Sequence, residues 1–243
     1  MEHSPQDGGA DRGEPETDSA RPPSMDSAPR TALFPINVNL AGRRCIVAGG
    51  GRVAERKVRG LLEASGDVTV VAPSVTPWLE TLAVAGQIRW DREEYAEACL
   101  DGAFLAVAAT NVREVNAAVA AEAQARGILV NCADAPGEGS YVTPAQVRRG
   151  DLLITVTASG ASPTLAAVIR EQIADRFDEE WVSVALLFGR LRSRIQTVSR
   201  RETERKDAVR ALLQDSQLRA MLKEGRLDDA EAHAIKCLLS WSV

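Results

Sequence analysis

Three glycines between an apolar run and a helical pattern are the first residues that could bind a ligand. The stretch "CIVAGGGRVAERKVRGLL" begins at Cys45 and ends at Leu62. Within it, Gly49, Gly51 and Ala54 match the pattern G-x-G-x-x-G/A: the first glycine makes the turn, the second admits a pyrophosphate, and the small third residue lets a helix pack on a sheet. The amide groups at the helix start would face the phosphates of a dinucleotide. The alternative is a strand-to-helix turn that binds no dinucleotide.

One carboxylate is placed for proton chemistry. Asp134 ends the run "GILVNCAD", which the apolar pattern predicts to be a buried strand. Open α/β sheets bind their ligands outside the carboxyl ends of parallel strands, so Asp134 is expected at a ligand site. A carboxylate there can accept a proton from a substrate. The alternative interpretation is an ordinary strand-end or turn aspartate.

The composition excludes several other classes of function. The 243-residue chain has a formal net charge of −5 and a pI of about 5.3, so it lacks the basic field of a protein that binds nucleic acid non-specifically. No apolar run reaches the roughly 18 residues that a membrane span needs, and the first 30 residues lack the apolar segment of a secretory signal. We therefore predict a cytoplasmic protein whose partners are small molecules.

The cysteines and histidines predict no metal site. They are few and scattered, and no CxxC pair occurs, so a cysteine or histidine zinc site is not expected. Cys45 and Cys132 fall in apolar, strand-like runs and are expected to be buried, reduced thiols. The other cysteines are Cys99 and Cys237, and the histidines are His3 and His233.

Alternating strands and helices must position the glycine turn and the aspartate. Apolar runs predict strands at 44–48, 67–73, 87–90, 103–110 and 127–134, separated by helical patterns, the clearest at 52–62, 77–85 and 113–126. This alternation predicts an α/β protein with a Rossmann-like parallel sheet and helices on both faces. Two further strands joined by a turn at 149–151 follow, and Ser162-Pro163 then caps a helix.

Four segments are predicted along the chain. Residues 1–31 are rich in Pro, Ser, Gly, Asp and Glu and form a disordered tail by composition. Residues 32–140 form the dinucleotide-binding domain, and residues 141–177 form a small segment of strands and a helix. Residues 178–243 form a C-terminal helical part, whose basic run 190–210 is interrupted by acidic residues at helical distances. That run is typical of a salt-bridged helix rather than a nucleic-acid patch.

Several motifs together resemble the precorrin-2 dehydrogenase module of siroheme synthases. They are "LFPINVNLAGRRCIVAGGGRVAERKV", "VTVVAP", "LAVAATN", "ILVNCAD" and "YVTPAQVRRGDLLITVTASGASPTLAAVIREQI", in this order and spacing, over about residues 33–176. The resemblance implies NAD-dependent oxidation of precorrin-2 to sirohydrochlorin, in some members followed by insertion of Fe²⁺. It also implies that Asp134 handles protons in both reactions, and that the segment 141–177 pairs with a second subunit in a homodimer.

The resemblance and the glycine turn together define a set of site residues. The residues expected to bind NAD are Gly49, Gly50, Gly51, Arg52, Val53, Ala54, Pro73, Ser74 and Thr110. Precorrin-2 carries eight carboxylates, which cationic side chains and helix-start amides could bind. The residues expected at the substrate are Arg148, Arg149, Ser162 and Arg170, for which the alternatives are solvated surface arginines and a plain helix cap.

Three departures from the family pattern stand in the sequence. Pro73 and Ser74 replace the usual acidic residue that binds the ribose 2′-hydroxyl, so the choice of NAD rests on the resemblance. Asn111 and Ala158 stand where relatives commonly carry an aspartate and a serine. A non-catalytic, nucleotide-sensing regulatory domain is the rival hypothesis, but it usually has an acidic residue after the second strand and needs neither Asp134 nor the "TASGASP" segment.

Overall fold

The structure is a computed structural model that describes residues 1, 32–158, 162–198 and 201–240. The predicted tail at 1–31 therefore lies, apart from Met1, outside the described residues, as do residues 159–161 of the "TASGASP" segment. Among the described residues, no helix is both long and apolar enough to cross a membrane.

Five parallel strands form one sheet in the order β3-β2-β1-β4-β5. The chain runs outwards from β1 to β3 on one side and then crosses back to β4 and β5 on the other. The reversal between β1 and β4 opens a crevice at their carboxyl ends, where folds of this kind bind ligands. The strands are β1 (Arg44–Ala48), β2 (Asp67–Val71), β3 (Arg89–Asp91), β4 (Leu105–Ala108) and β5 (Leu129–Cys132).

Helices cover both faces of this sheet, which confirms the predicted Rossmann-like class. Alternate residues of β1 enter two separate cores, because successive side chains of a strand point to opposite faces. Cys45 and Val47 pack with α1 and α2, whereas Ile46 and Ala48 pack with α3. The helices are α1 (Arg52–Glu63), α2 (Pro77–Val84) and α3 (Arg113–Ala125), with short 3₁₀ turns at Glu97–Leu100 and Pro136–Glu138.

An antiparallel strand pair and a helix follow the sheet. Strands β6 (Ala145–Arg149) and β7 (Leu152–Val156) are joined by a tight turn in which Gly150 has a φ of +56°. Helix α4 (Pro163–Arg176) packs against both strands. The Ser162 hydroxyl accepts a hydrogen bond from the Leu165 amide at 3.1 Å and so caps this helix, as the sequence predicts.

In the described residues after α4, four helices form the C-terminal part and share a core of their own. Leucines and alanines from all four elements build this core, with Leu187 and Leu191 fully buried. Within the predicted basic run, Lys206 pairs with Glu202 and Arg210 with Asp207, as expected for a salt-bridged helix. The helices are α5 (Glu180–Val198), α6 (Glu202–Gln214), α7 (Ser216–Lys223) and α8 (Leu227–Ser240).

Candidate functional site

The first glycine of the turn is required by the backbone itself. Gly49 follows β1 with a φ of +121°, and its amide donates a hydrogen bond to the Val71 carbonyl oxygen at 2.9 Å. A Cβ atom at Gly49 would lie 2.3 Å from the Ala109 carbonyl oxygen. Only glycine adopts this conformation readily and leaves room for the backbone that leaves β4.

Gly50, which stands between the two glycines of the G-x-G-x-x-G/A pattern, lies against the loop that follows β2. A Cβ atom at Gly50 would lie 2.0 Å from the Ser74 carbonyl oxygen, and the Gly50 carbonyl accepts a hydrogen bond from the Thr76 amide at 2.9 Å. This contact brings Pro73 and Ser74, both exposed, beside the glycine turn. The predicted cofactor residues of the two loops are therefore neighbours.

Gly51, the second glycine of the G-x-G-x-x-G/A pattern, faces open space. Gly51 is the N-cap residue of α1 with an extended backbone, and a Cβ atom on it would meet nothing within 4 Å. Arg52 and Val53 are exposed in the first turn of α1, where the amide groups lack intrahelical partners. Ala54 is fully buried, so α1 packs closely on the sheet. The turn thus combines a packed helix with an unfilled space at its start, the shape that a pyrophosphate needs.

A buried asparagine, absent from the residues predicted from the sequence, fixes the end of β4. The Thr110 amide and hydroxyl both donate to Oδ1 of Asn116, at 3.0 and 2.8 Å, and Nδ2 of Asn116 donates to the Thr110 carbonyl at 3.1 Å. Asn116 is 1% exposed. Its position on the apolar face of α3, in register with Val119 and Ala120, is the signal that could have revealed it, since buried amides need partners.

The Asp134 carboxylate lies just beyond β5 and is held in its ionised form. The Cys132 thiol donates to Oδ1 of Asp134 at 3.1 Å. This hydrogen bond, a second one from Asn116 and the charge of Arg113 lower the pKa of Asp134. The side chain is 36% exposed, so a ligand can reach it. Asn116 therefore contacts both Thr110 and Asp134, and joins the carboxyl ends of β4 and β5.

Arg113, at the start of α3, is a second residue that the sequence patterns did not reveal. Its Nε lies 3.9 Å from Oδ2 of Asp134, and its guanidinium pairs closely with Glu138. Both acidic partners are partly exposed, so the pairs are screened by solvent. The arrangement gives the aspartate a cationic neighbour that a polycarboxylate could share.

The chain that leaves β5 folds back along that strand. The Ser140 amide donates to the Val130 carbonyl at 2.8 Å, and Nδ2 of Asn131 donates to the Tyr141 carbonyl at 3.1 Å. Nζ of Lys57, on α1, then donates to the Thr143 hydroxyl at 3.0 Å. Burial, followed by the charge of the neighbouring arginine, lowers the pKa of Lys57. Lys57 is thus a partly desolvated cation between the glycine helix and the segment that leads to β6.

The residues predicted to bind substrate lie in a different segment from Asp134. Arg148 is exposed on β6, and Nε of Arg149 lies 3.4 Å from the Glu179 carboxylate. Arg170 pairs with the next residue of α4, and the Ser162 hydroxyl is used as a helix cap. The contacts described for these four residues stay within the strand pair, helix α4 with its N-cap, and Glu179, which precedes α5, and do not join them to Asp134.

Comparisons with known proteins identify relatives of this chain. A family model described as "Putative NAD(P)-binding" matches residues 36–145. A siroheme synthase of Chromobacterium violaceum is 40% identical over 203 residues, which cover 84% of this chain and 40% of that protein. Siroheme synthase 1 of Aeromonas salmonicida is 36% identical over 202 residues, which cover 83% of this chain and 43% of that protein.

A solved structure, titled "SirC, precorrin-2 dehydrogenase", is also similar. It superimposes with a TM-score of 0.65 at 28% sequence identity, and the match covers 84% of this chain and 100% of that chain. The likeness therefore extends beyond the five-stranded sheet. The chain spans about two fifths of the length of the two siroheme synthases.

Proposed function

The chain belongs to the family of the siroheme synthases and the precorrin-2 dehydrogenase SirC, and we propose that it oxidises precorrin-2 to sirohydrochlorin with NAD⁺. The observation that carries the proposal is the position of an ionised carboxylate, Asp134, beyond β5 on a sheet whose glycine turn is open at Gly51. The Asp134 carboxylate is suited to proton transfer, and the space at Gly51 is suited to the pyrophosphate of a dinucleotide.

The reaction divides between the cofactor and the chain. NAD⁺ supplies the acceptor for the hydride that leaves the macrocycle. Asp134 accepts the proton lost in the same oxidation, because its carboxylate is ionised at neutral pH and its side chain is 36% exposed to a ligand. Asn116 and Cys132 hold this carboxylate in place through their hydrogen bonds. Gly51 leaves space for the pyrophosphate, and the amides at the start of α1 bind it.

The preference for NAD over NADP is part of the proposal. Pro73 and Ser74, which follow β2 beside the turn, carry neither a carboxylate for a ribose hydroxyl nor a cation for a 2′-phosphate. The preference therefore rests on the family resemblance. Measuring kcat/KM with NAD⁺ and NADP⁺ in parallel tests it, and a higher value with NADP⁺ would reverse the assignment.

The experiment that tests the oxidation itself is an anaerobic assay of the purified chain. Precorrin-2 and NAD⁺ are mixed, and the absorbance of NADH and of sirohydrochlorin is followed. We expect equal amounts of both products. Binding of the dinucleotide without turnover would contradict the proposal and would favour the nucleotide-sensing alternative.

Insertion of Fe²⁺ into sirohydrochlorin is a second proposed activity of the same site. Metallation requires two pyrrole N–H protons to leave, and the Asp134 carboxylate can accept them one at a time, releasing the first to solvent before it takes the second. The test adds Fe²⁺ to the completed oxidation and follows the appearance of siroheme. A rate equal to that without protein would show that the chain does not catalyse this step.

We further propose a homodimer formed through residues 141–177. Among the residues that the structure describes, strands β6 and β7 pair only with each other, and the outer edges of this two-stranded sheet favour association. Leu165 and Val168 of α4 are 51% and 45% exposed. A partner's Arg148, Arg149 and Arg170 could then supply cations to the site, to which no described contact joins them within one chain. Light scattering at micromolar concentration should give twice the mass of the chain, and a monomer would contradict the proposal.

A further inference from the structure

Three metal-binding side chains converge in the C-terminal helices. His233 and Cys237 lie four residues apart on α8 and therefore share one face of that helix. Asp215, which precedes α7, meets them there: its Oδ2 lies 2.8 Å from Nε2 of His233 and 3.9 Å from Sγ of Cys237. The distance from Sγ of Cys237 to Nε2 of His233 is 3.7 Å. All three side chains are partly buried.

These distances fit a tetrahedral metal ion. With zinc bonds of about 2.3 Å to sulfur and about 2.0 Å to nitrogen or oxygen, tetrahedral ligands lie about 3.5 Å apart when one is sulfur and about 3.3 Å apart otherwise. The distances from Sγ of Cys237 to Oδ2 of Asp215 and to Nε2 of His233 differ from the tetrahedral value by no more than about 0.4 Å. Only the oxygen to nitrogen distance must open, by about 0.5 Å, when a cation replaces the direct hydrogen bond.

The arrangement differs from a catalytic relay. In a triad the imidazole bridges the other two groups through its two different nitrogen atoms. Here the Asp215 carboxylate and the Cys237 thiol both approach Nε2 of His233. Three donor atoms that lie within 4.8 Å of one another can bind one cation, whereas a proton relay needs the imidazole between the other two groups.

The two oxygens of Asp215 have separate roles. Oδ1 accepts hydrogen bonds from the amides of Gln217 and Leu218, both at 2.9 Å, and so caps α7. Oδ2 is directed towards the other two side chains. The capping bonds fix the carboxylate, and this preorganisation favours a metal ion over a flexible surface acid.

A cavity beside the cluster provides room for a fourth ligand. It has a volume of about 190 Å³, and Asp215 and Cys237 contribute to its wall together with Leu212 and Ser240. The space exceeds that of a single water molecule, about 30 Å³. A metal ion held by three side chains could therefore keep an exchangeable position.

We infer that Asp215, His233 and Cys237 form a binding site for a divalent transition metal of the zinc class, with a fourth position open to water. A mixed oxygen, nitrogen and sulfur donor set selects such ions over Mg²⁺ or Ca²⁺. The carboxylate and the thiolate balance the charge of the ion, and the thiol proton leaves to solvent. The inference does not depend on the proposed oxidation.

The site would tie α7 to α8 within the C-terminal core. Leu212 and Leu238, which line the cavity, are buried members of that core. A ligand that binds the folded state and not the unfolded chain stabilises the fold by mass action. Bound metal should therefore raise the melting temperature of the whole chain.

Cobalt(II) is the probe that tests the site on the full-length protein. Titration with Co²⁺ should give a near-ultraviolet charge-transfer band, because cobalt bound to a thiolate absorbs there, together with visible bands of tetrahedral intensity. Zn²⁺ should bleach both and raise the melting temperature. Cys237→Ser should remove the charge-transfer band and weaken binding more than about 100-fold, since even indirect partners of metal ligands contribute about 10–100-fold.

Matched variants separate this site from another thiol, the other histidine and another carboxylate of the chain. Asp215→Asn keeps a good N-cap but loses the carboxylate, so it should retain helix content by circular dichroism and lose at least about tenfold in affinity. Cys99→Ser and His3→Gln change the other partly exposed thiol and the other histidine, and should leave the band unchanged. Asp134→Ala should also leave it unchanged, which separates the site from iron handled as a substrate. Absence of the band, or an equal band in folded Cys237→Ser, would overturn the inference.

Discussion

Replacing two glycines of one turn should impair different properties: stability at Gly49 and dinucleotide binding at Gly51. At Gly49 a Cβ atom would lie 2.3 Å from the Ala109 carbonyl oxygen, on a backbone with a φ of +121°. Such a backbone costs about 1–3 kcal/mol for a residue other than glycine, and forced overpacking about 1–3 kcal/mol more. Gly49→Ala should therefore lose about 2–6 kcal/mol of the free energy of unfolding, a large part of the roughly 5–15 kcal/mol of a typical domain.

At Gly51 the added methyl group meets no protein atom within 4 Å. Gly51→Ala should lose only about 0.5–1 kcal/mol of unfolding free energy, because alanine is a poorer N-cap than glycine. Gly51→Val should bind the dinucleotide at least about tenfold more weakly, equivalent to about 1.4 kcal/mol, since its side chain occupies the space of the pyrophosphate.

Urea denaturation and titration calorimetry with NAD⁺ measure these two effects separately. Gly60→Val is the matched control, because Gly60 lies later in α1 and a Cβ atom there also meets nothing within 4 Å. It should leave dinucleotide affinity unchanged. The reasoning is refuted if folded Gly51→Val binds NAD⁺ like the wild type, or if Gly49→Ala is as stable as Gly51→Ala.

Two further predictions concern the groups around the aspartate. Cys132→Ala removes the thiol hydrogen bond that is the largest cause of the lowered pKa of Asp134, so this pKa should rise. The acidic limb of the pH profile of kcat/KM should then move to higher pH. Cys132→Ser keeps a hydrogen-bond donor and should leave the limb near its wild-type position. A limb that is the same in both variants would show that the thiol has no such effect. Asn116→Ala leaves the Thr110 amide without its partner and should lower the unfolding free energy by about 1–3 kcal/mol in urea denaturation. Glu114→Ala, an exposed change on the same helix, should stay within about 0.5 kcal/mol, and equal losses in the two variants would contradict the role of Asn116.

The sheet and the turn could be predicted from the sequence because their signals are local. Short apolar runs and the spacing of three small residues suffice to place β1 and α1, and both are found where the pattern puts them. The predicted strand at 103–110 is longer than the observed Leu105–Ala108. Its last residue, Thr110, bonds through its amide to Asn116 instead of continuing the sheet, and no local pattern reveals that partner.

Contacts between distant residues could not be predicted from local patterns. Lys57 and Thr143 are 86 positions apart, and only the fold shows that they meet. The histidine and cysteine of α8 carried a weak local signal, a spacing of four residues in a helix, but Asp215 joins them from the junction between α6 and α7. The role of Asp134 as a proton acceptor stays a prediction, because its position and its lowered pKa are compatible with the role without testing it.

The most direct test of the proposed function compares turnover and cofactor binding in Asp134→Ala. A positioned base contributes about 10²–10⁴-fold to rate without holding the dinucleotide. The variant should therefore keep the wild-type fold and NAD⁺ affinity while the rate of sirohydrochlorin formation falls by at least about 100-fold. The rate of Fe²⁺ insertion should fall as much, unless that step uses another base. Oxidation of precorrin-2 within about threefold of the wild-type rate would contradict the assignment of Asp134.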